Sequence, residues 1–140
     1  MSAAMMSFCV VTPERTVEER LVRGITLQTP DGELTILPGH QPLVSILKPG
    51  MVTVRDESGT SFLASSTGFV EVRADGSVVL LADSAERADE LDEQVIARAE
   101  AEARRLLSET SREDEEAFAH AAAALERELA REKVARRRHH

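Results

Sequence analysis

The residue types that most often do chemistry are scarce in this chain, which has four histidines and one cysteine in 140 residues. No histidine stands with a cysteine or a carboxylate at the spacing of a metal site. The chain also lacks the Gly-x-Ser-x-Gly of a nucleophile elbow and the Gly-rich, Lys-containing loop that binds phosphates. We therefore predict no catalytic residue and no metal ligand, and expect a binding or structural subunit. The histidines are His40, His120, His139 and His140.

The single cysteine, Cys9, lies between Phe8 and Val10 in an apolar segment. This setting favours a small, buried hydrophobic side chain over a reactive thiol. One cysteine cannot form an internal disulfide, which fits a reducing compartment.

A run rich in proline and glycine, residues 29–50, is the most distinctive part of the chain. Two turn-forming clusters, residues 30–33 and 38–42, lie on either side of a short apolar segment, and a third follows at 48–50. Because Pro fixes φ and Gly admits positive φ, such clusters fix the path of the chain. Ordering a loop costs entropy, so a rigid loop is more often a recognition surface than filler. We predict a docking surface here.

Composition narrows the class of protein. The formal net charge of −8 argues against a nucleic-acid partner, because phosphates are neutralised by Lys and Arg. Apolar residues make up 42% of the chain but aromatic residues only 3%, so we expect an aliphatic core. No apolar run approaches the roughly 18 residues of a membrane span, and the opening residues do not resemble a signal peptide.

Short β-branched segments fill residues 7–83 and are divided by Asp-Gly, Ser-Gly and Pro-Gly turn signals every few residues. This pattern is typical of an antiparallel sandwich or barrel. Residues 56–59 and 74–76 are predicted to be hairpin turns. The candidate strands are residues 8–12, 25–29, 34–37, 43–47, 51–55, 61–65, 69–73 and 78–82.

From Asp89 the apolar period changes to that of a helix, and we predict Asp89 as its N-cap. The pattern breaks at residues 108–114, where Thr110 and Glu113 fit a capping box that opens a second helix. A short connection between two amphipathic helices predicts an antiparallel hairpin. The predicted apolar stripes are Leu91, Val95, Ala99, Ala103 and Leu106 on the first helix, and Phe118, Ala121, Ala122, Leu125 and Leu129 on the second.

The predicted fold class is therefore α+β in two parts, an N-terminal antiparallel β-sandwich at about residues 5–85 and a helical hairpin at about 88–135. A basic tail follows at residues 136–140. Because alanine stripes bury little apolar area, the hairpin should pack weakly and be able to detach or rearrange.

Five blocks of sequence, in order and with few gaps, resemble the epsilon subunit of bacterial F-type ATP synthases. The strongest is GELTILPGHQPL at residues 32–43, followed by LKPG at 47–50. VVTPER at 10–15, TGFVEV at 67–72 and LADSAE at 81–86 also match, so that the resemblance covers residues 7 to about 135. After the opening turn this chain has Glu18-Glu19-Arg20 where the family has an apolar residue and Ser-Gly, which we interpret as a local surface change.

The resemblance implies a non-catalytic rotor subunit of the central stalk. The sandwich would hold the gamma subunit and rest on the c-ring, coupling proton- or sodium-driven rotation to ATP synthesis. In an extended state the hairpin would reach the catalytic alpha and beta subunits and inhibit ATP hydrolysis. The implied location is peripheral, at the cytoplasmic face of the bacterial plasma membrane. The implied c-ring and gamma contacts are Asp31, Glu33, Leu34, Pro38, Gly39, His40 and Pro42.

For His40 the residues alone leave an alternative, a turn histidine whose ring hydrogen-bonds a backbone carbonyl. Without the resemblance, Glu33 would be interpreted as a charged turn residue that is exposed to solvent.

Some members of this family bind ATP on the hairpin through I/L-D-x-x-R-A and arginines of the second helix. Here Val95 and Ile96 stand where Arg and Ala belong, so the resemblance implies weak ATP binding at best and no other cofactor. The alternative for the two arginines is pairing with nearby Glu on their own helix. The degenerate nucleotide site would comprise Glu86, Leu91, Asp92, Arg127 and Arg131.

Four cationic side chains lie at the end of the second helix and in the tail that follows it. The resemblance implies an inhibitory contact with an acidic segment of the beta subunits, while the alternative is a solvated helix end that complements the helix dipole. Two other functions stay open: a stand-alone β-sandwich binding module with a helical interaction tail, and an enzyme on a sandwich scaffold. The cations are Lys133, Arg136, Arg137 and Arg138.

Overall fold

Two five-stranded sheets followed by two helices make up the structure, a computed structural model that describes residues 4–137. A single 3₁₀ turn, Ala88–Glu90, joins the sheets to the helices. The strands are β1 (Met6–Val11), β2 (Thr16–Val22), β3 (Gly24–Thr29), β4 (Gly32–Ile36), β5 (Leu43–Leu47), β6 (Gly50–Asp56), β7 (Gly59–Ser65), β8 (Gly68–Val72), β9 (Val78–Ala82) and β10 (Ala85–Arg87), and the helices are α1 (Glu93–Glu109) and α2 (Glu115–Arg137).

The first sheet has the order β2-β1-β9-β8-β5 and the second has β10-β7-β6-β3-β4. Neighbours are antiparallel except β1 and β9, which run parallel. The two sheets enclose an aliphatic core with one buried aromatic ring, Phe8, beside Ile25, Leu27 and Leu80. The predicted fold class, a β-sandwich followed by a helical hairpin, is confirmed.

Strand β2 is absent from the predicted strands, and Glu18, Glu19 and Arg20, interpreted as a local surface change, lie within it. A register shift opposite Val10 and Val11 lets β2 bury residues at both of its ends. The charges suit an edge strand, which they protect from pairing with other chains. The guanidinium of Arg20 also reaches the second sheet, where it bonds Asp56 and, at 2.6 Å, Ser61 Oγ.

Both helix starts differ from the predicted ones. Asp92, not Asp89, caps α1: its Oδ1 accepts hydrogen bonds from the backbone N–H groups of Gln94 (2.9 Å) and Val95 (3.2 Å). Asp89 lies in the preceding 3₁₀ turn. Helix α2 starts after Asp114, whose Oδ1 accepts from Ala117 N at 3.1 Å. The predicted capping box at Thr110 is absent, because the Thr110 hydroxyl donates to Leu106 O at the end of α1.

The hairpin packs through a face that matches the predicted one only in part, at Leu91 and Ala103. On α1 the buried side chains are Ile96 and Ala103, while Val95 and Leu106 are 43% and 45% exposed. Helix α2 lies against β6, β7 and α1. The apolar contact between the hairpin and the sandwich is one small cluster. Its buried members are Ala64, Leu91, Ile96, Val134 and Ala135, with Met51, Phe62 and Ala88 at its margin.

Candidate interaction sites

The outer face of the first sheet carries a row of large apolar side chains. Val44 and Ile46 of β5, Phe69 of β8 and Leu81 of β9 are 66%, 54%, 53% and 47% exposed. Strand register places Ile46 beside Phe69, Phe69 beside Leu81, and Leu81 beside Val11. We call Val44, Ile46, Phe69 and Leu81 the outer apolar face. A contiguous exposed apolar patch marks an interaction site more often than isolated apolar residues do.

Sequence reasoning missed this face although the sequence carries a signal for it. The segments of β5 and β9, LVSIL and VVLLA, are apolar on both faces, whereas a sheet with one solvated face alternates apolar and polar residues. Such runs are typical of strands that are covered on both sides. A partner over the outer apolar face would complete that cover.

Cys9 lies on this same side of the first sheet, between Glu19 of β2 and Val79 of β9. It is half-buried and is not part of the sandwich core, so the prediction of a buried core cysteine was wrong. Partial burial, together with the nearby Glu19 carboxylate, raises the pKa of its thiol.

The predicted docking run forms the edge strand β4 and the turns at its two ends. Gly32 (φ 118°) and Gly39 (φ 88°) adopt the left-handed conformations that these turns require. Asp31 and Glu33 lie at the start of β4, whereas residues 38–42 follow its end. At about 3.3 Å per residue, the strand separates the two groups by about 15 Å. The candidate contacts therefore form two patches along one side of the sandwich.

Within the second patch, His40 is half-buried and its Nδ1 lies 2.7 Å from the carbonyl oxygen of Gln41. This is the local hydrogen bond that the residues alone had suggested as an alternative. When Nδ1 donates this bond, Nε2 is left as an acceptor for another molecule. Pro38, Gly39 and Pro42 line a cleft of about 670 Å³ with the turn at residues 74–77.

The first patch faces helix α2. Glu33 lines a cleft of about 470 Å³ whose other walls include Lys48 of the β5–β6 loop and Lys133 of α2. A predicted c-ring contact and a predicted inhibitory contact thus lie on the walls of the same cleft. Leu34, by contrast, is half-buried and packs against the sandwich core. Asp31 is exposed, and its backbone N–H bonds Thr29 Oγ1 at 3.2 Å.

Two of the predicted nucleotide-site residues contact each other directly. Arg131 of α2 bonds Glu86 of β10, with Nε 2.8 Å from Oε1 and Nη2 3.0 Å from Oε2. Its Nη1 lies 2.6 Å from Oε1 of Glu128. Burial alone would lower the pKa of Arg131, but the bonds to Glu86 and Glu128 outweigh it and the pKa is raised. We call Glu86, Glu128 and Arg131 the ionic cluster.

The remaining residues of that predicted site have structural roles. Arg127 lies at the margin of the ionic cluster, its Nε 3.9 Å from Glu128 Oε2. Asp92 caps α1 through its carboxylate, and Leu91 is buried among the apolar contacts of the hairpin.

The basic end of α2 is engaged with the folded protein. Arg136 hydrogen-bonds Glu132 one turn earlier, and the guanidinium carbon of Arg137 lies 5.4 Å from the centre of the Phe62 ring. Lys133 is exposed. Residues 136 and 137 belong to α2, while Arg138 lies outside the described residues.

Over residues 4–137, no group of three or more His, Cys, Asp or Glu side chains is placed to hold a metal ion. Within the same range, neither helix has the length and apolar character needed to cross a membrane.

Residues 5–88 match the family model described as ATP synthase, Delta/Epsilon chain, beta-sandwich domain. The chain belongs to this family. It is 43% identical over 100 residues to the ATP synthase epsilon chain of Desulforudis audaxviator, an alignment that covers 71% of this chain and 70% of that one. With the ATP synthase epsilon chain of Anoxybacillus flavithermus it shares 44% identity over 92 residues, 66% of each chain.

Solved structures agree with this assignment. A chain of the Euglena gracilis mitochondrial ATP synthase, in a structure of OSCP, F1 and c-ring, superposes with a TM-score of 0.76 at 28% identity. The superposition covers 93% of this chain and 81% of that one. A chain from the central stalk and c-ring structure of the Tetrahymena thermophila mitochondrial ATP synthase has a TM-score of 0.53, 18% identity and coverage of 64% and 72%, and shows the fold alone.

Membership of this family establishes what kind of subunit the chain is. The chain is an epsilon-type stalk subunit of an F-type ATP synthase and is non-catalytic. The predicted family resemblance is confirmed, and the interpretation as an enzyme on a sandwich scaffold is wrong.

Proposed function

We propose that this chain couples c-ring rotation to the catalytic head by binding the gamma subunit through the outer apolar face. The observation that carries this proposal is the row from Ile46 through Phe69 to Leu81, which leaves large side chains about half exposed. Permanent interfaces are more apolar than transient ones, and a stalk subunit that turns with its partner needs a permanent interface. Each of these side chains contributes about 1 kcal/mol when the partner covers it.

The polar side of the sandwich serves the c-ring in this proposal. Asp31 and Glu33 in the first patch and His40 in the second offer carboxylates and an imidazole, which suit hydrogen bonds to polar loops. The whole assembly then holds the chain at the cytoplasmic face of the bacterial plasma membrane, with no span of its own. The coupling ion, proton or sodium, belongs to the c-ring.

Regulation is the second part of the proposal. In an extended state, the basic end of α2 contacts an acidic segment of the catalytic beta subunits and inhibits ATP hydrolysis. In the folded hairpin Arg136 is bonded to Glu132 and Arg137 stacks on Phe62, so this contact requires that α2 leaves the sandwich. ATP binds weakly at best, because Val95 replaces a charged contact and Arg131 is already bonded to two carboxylates.

The deciding experiment measures affinity for the purified gamma subunit. Phe69→Glu and Ile46→Glu place a charge in the middle of the row, and each should weaken binding at least tenfold because the carboxylate would be buried without a partner. Leu106→Glu is the matched control, since Leu106 is similarly exposed but lies on α1. Its affinity should equal that of the unmodified chain.

Two outcomes would count against the proposal. Undiminished gamma binding by Phe69→Glu would remove the outer apolar face as the interface. No binding of gamma by the unmodified chain would favour the alternative, a stand-alone binding module with a helical interaction tail.

A further inference from the structure

Apolar and ionic contacts both hold the helical hairpin on the sandwich. The apolar contact is the cluster around Ile96, Val134 and Ala135, which has far fewer buried members than the sandwich core. Arg137 also lies over the Phe62 ring at its margin. The ionic cluster is a separate attachment, in which Arg131 joins α2 to Glu86 of strand β10.

The geometry of the ionic cluster is specific. The side chains of Glu86, Arg131 and Glu128 are only 24%, 13% and 9% exposed, so that their bonds are partly shielded from water and salt. Arg131 Nη2 donates a charge-assisted hydrogen bond to Glu86 Oε2 at 3.0 Å, and Nε lies 2.8 Å from Oε1, so that both carboxylate oxygens are close to the guanidinium. Exposed ion pairs within α1, such as Arg105 with Glu109, lack this shielding.

Charge balance makes the arrangement sensitive to one group. Glu86 and Glu128 are negative, Arg131 and its neighbour Arg127 are positive, and the four together are neutral. Only Glu86 belongs to the sandwich, because the other three lie on successive turns of α2. Loss of its charge leaves an excess positive charge in a partly buried place, which is costly until α2 moves into water.

We propose that the hydrogen-bonded ion pair between Glu86 and Arg131 is a latch that holds the hairpin against the sandwich, so that its rupture releases α2. The proposed latch is inferred from contacts within this chain. Only its regulatory consequence, exposure of the basic end of α2, rests on the proposed inhibition of hydrolysis.

Hydrogen exchange of the full-length chain tests the latch. Glu86→Gln and Arg131→Gln should each raise the open-to-closed ratio of α2 about ten- to hundredfold, the range for loss of a hydrogen bond to a charged group. Exchange in β1 and β9, which belong to the first sheet, should not change. Glu109→Gln is the matched control: it removes a carboxylate from an ion pair of Arg105 that stays within α1, and should leave α2 protected.

A double-mutant cycle shows whether Glu86 and Arg131 act through the bond between them or independently of each other. If the two residues act as one latch, the double variant with both changes should open α2 no more than Arg131→Gln alone does. Equal protection of α2 in Glu86→Gln and the unmodified chain would overturn the latch. So would additive effects in the double variant, or faster exchange in β1 and β9 to the same degree as in α2.

Fluorescence gives a second measurement that does not depend on exchange. The chain has no Trp or Tyr, so Phe62→Trp places a single reporter where Arg137 of α2 contacts the sandwich. Within this background Glu86→Gln should shift the emission to the red, and Glu109→Gln should not. An unshifted emission in both variants would contradict release of α2.

The assembled ATP synthase distinguishes the latch from the proposed regulation. Glu86→Gln should lower ATP hydrolysis, because a released α2 reaches the catalytic subunits more often. If α2 is released in the isolated chain but hydrolysis does not change, the latch stands and the proposed inhibitory role fails.

Discussion

The sandwich and the hairpin of this subunit are stabilised in different ways. The sandwich buries large aliphatic side chains and Phe8 between two hydrogen-bonded sheets, while the hairpin meets it through one much smaller apolar cluster and an ionic cluster. Apolar burial grows with the area removed from water and has no preferred direction, whereas a bond between two charged groups is lost as a unit. The difference separates a part that stays folded from a part that can move.

The largest expected effect is on the free energy of unfolding, and it compares a core substitution in the sandwich with one in the hairpin. Phe8→Ala should lower the free energy of unfolding by about 3–5 kcal/mol, because it empties a fully buried site. Val134→Ala, also fully buried, should cost about 1–2 kcal/mol and should loosen only the hairpin. Urea unfolding followed by circular dichroism, together with exchange in α2, measures both. Loss of the sandwich in Val134→Ala would show that the two parts unfold as one.

The next effect concerns nucleotide affinity. Val95 is exposed on the first turns of α1, so Val95→Arg restores the charged contact that the family motif has there without disturbing the core. We expect affinity for ATP to rise about tenfold or more, measured by calorimetry. Ile96→Ala should not be combined with it, because Ile96 is buried in the hairpin contact. Tight ATP binding by the unmodified chain would contradict the prediction.

A smaller effect concerns the basic end of α2. Changing Arg136 and Arg137 to Ala should raise ATP hydrolysis by the purified complex several-fold and leave synthesis nearly unchanged, because contacts with an acidic partner are lost. The gap between variant and unmodified complex should narrow at high salt, which screens exposed charges over roughly 10 Å at 0.1 M. Equal hydrolysis rates for the variant and the unmodified complex at low salt would contradict the inhibitory contact. The alternative, a solvated helix end, would then be favoured.

The smallest effect is a dependence on pH between the helices. Interaction between the carboxyl groups of Glu100 of α1 and Glu132 of α2, which can share a proton, raises the pKa of Glu132 and lowers the pKa of Glu100, with Arg104 and Arg136 beside them. The folded state therefore holds the Glu132 proton more tightly than the unfolded state does. Stability should rise as the pH falls through the raised pKa towards 4.5, and should fall once Glu100 is protonated below that value.

An amide in place of Glu132 tests this sign. Glu132→Gln donates to Glu100 without needing a proton, so it should stabilise the hairpin at pH 7 by about 0.5 kcal/mol or less, since both carboxyls are partly exposed. The gain should vanish near pH 4.5. Thermal melts at the two pH values measure it, and an equal gain at both would refute the shared proton.

Most of the sandwich could be predicted from the sequence, because apolar alternation and turn residues are local signals. Eight strands were found near their observed positions. Strand β2 was missed because its charged residues conceal an edge strand, and β10 because it has only three residues. The predicted stripe of the first helix was right at Leu91 and Ala103, which are buried, but wrong at Val95, because Ile96 faces the sheet instead. The exposed row at Phe69 was not predicted.

The resemblance placed Glu86 and Arg131 in one site, but it did not predict the bond between them, for a physical reason. Glu86 and Arg131 are far apart along the chain, and only the packing of α2 on β7 and β6 brings them together. From local spacing alone, Arg131 has neighbours on its own helix as its expected partners. One of these, Glu128, is bonded as expected, and the bond to Glu86 adds to it.

The parallel pairing of β1 with β9 also constrains the order of folding. Phe8 pairs with Val78, so the first sheet cannot close until almost the whole sandwich has left the ribosome. Contacts so distant in sequence make folding slow, on the millisecond-to-second scale of all-β proteins. Helices form in about a microsecond, so when the full-length chain refolds, the hairpin forms before its docking surface is complete. Refolding should therefore show slow closure of the sandwich followed at once by arrival of α2.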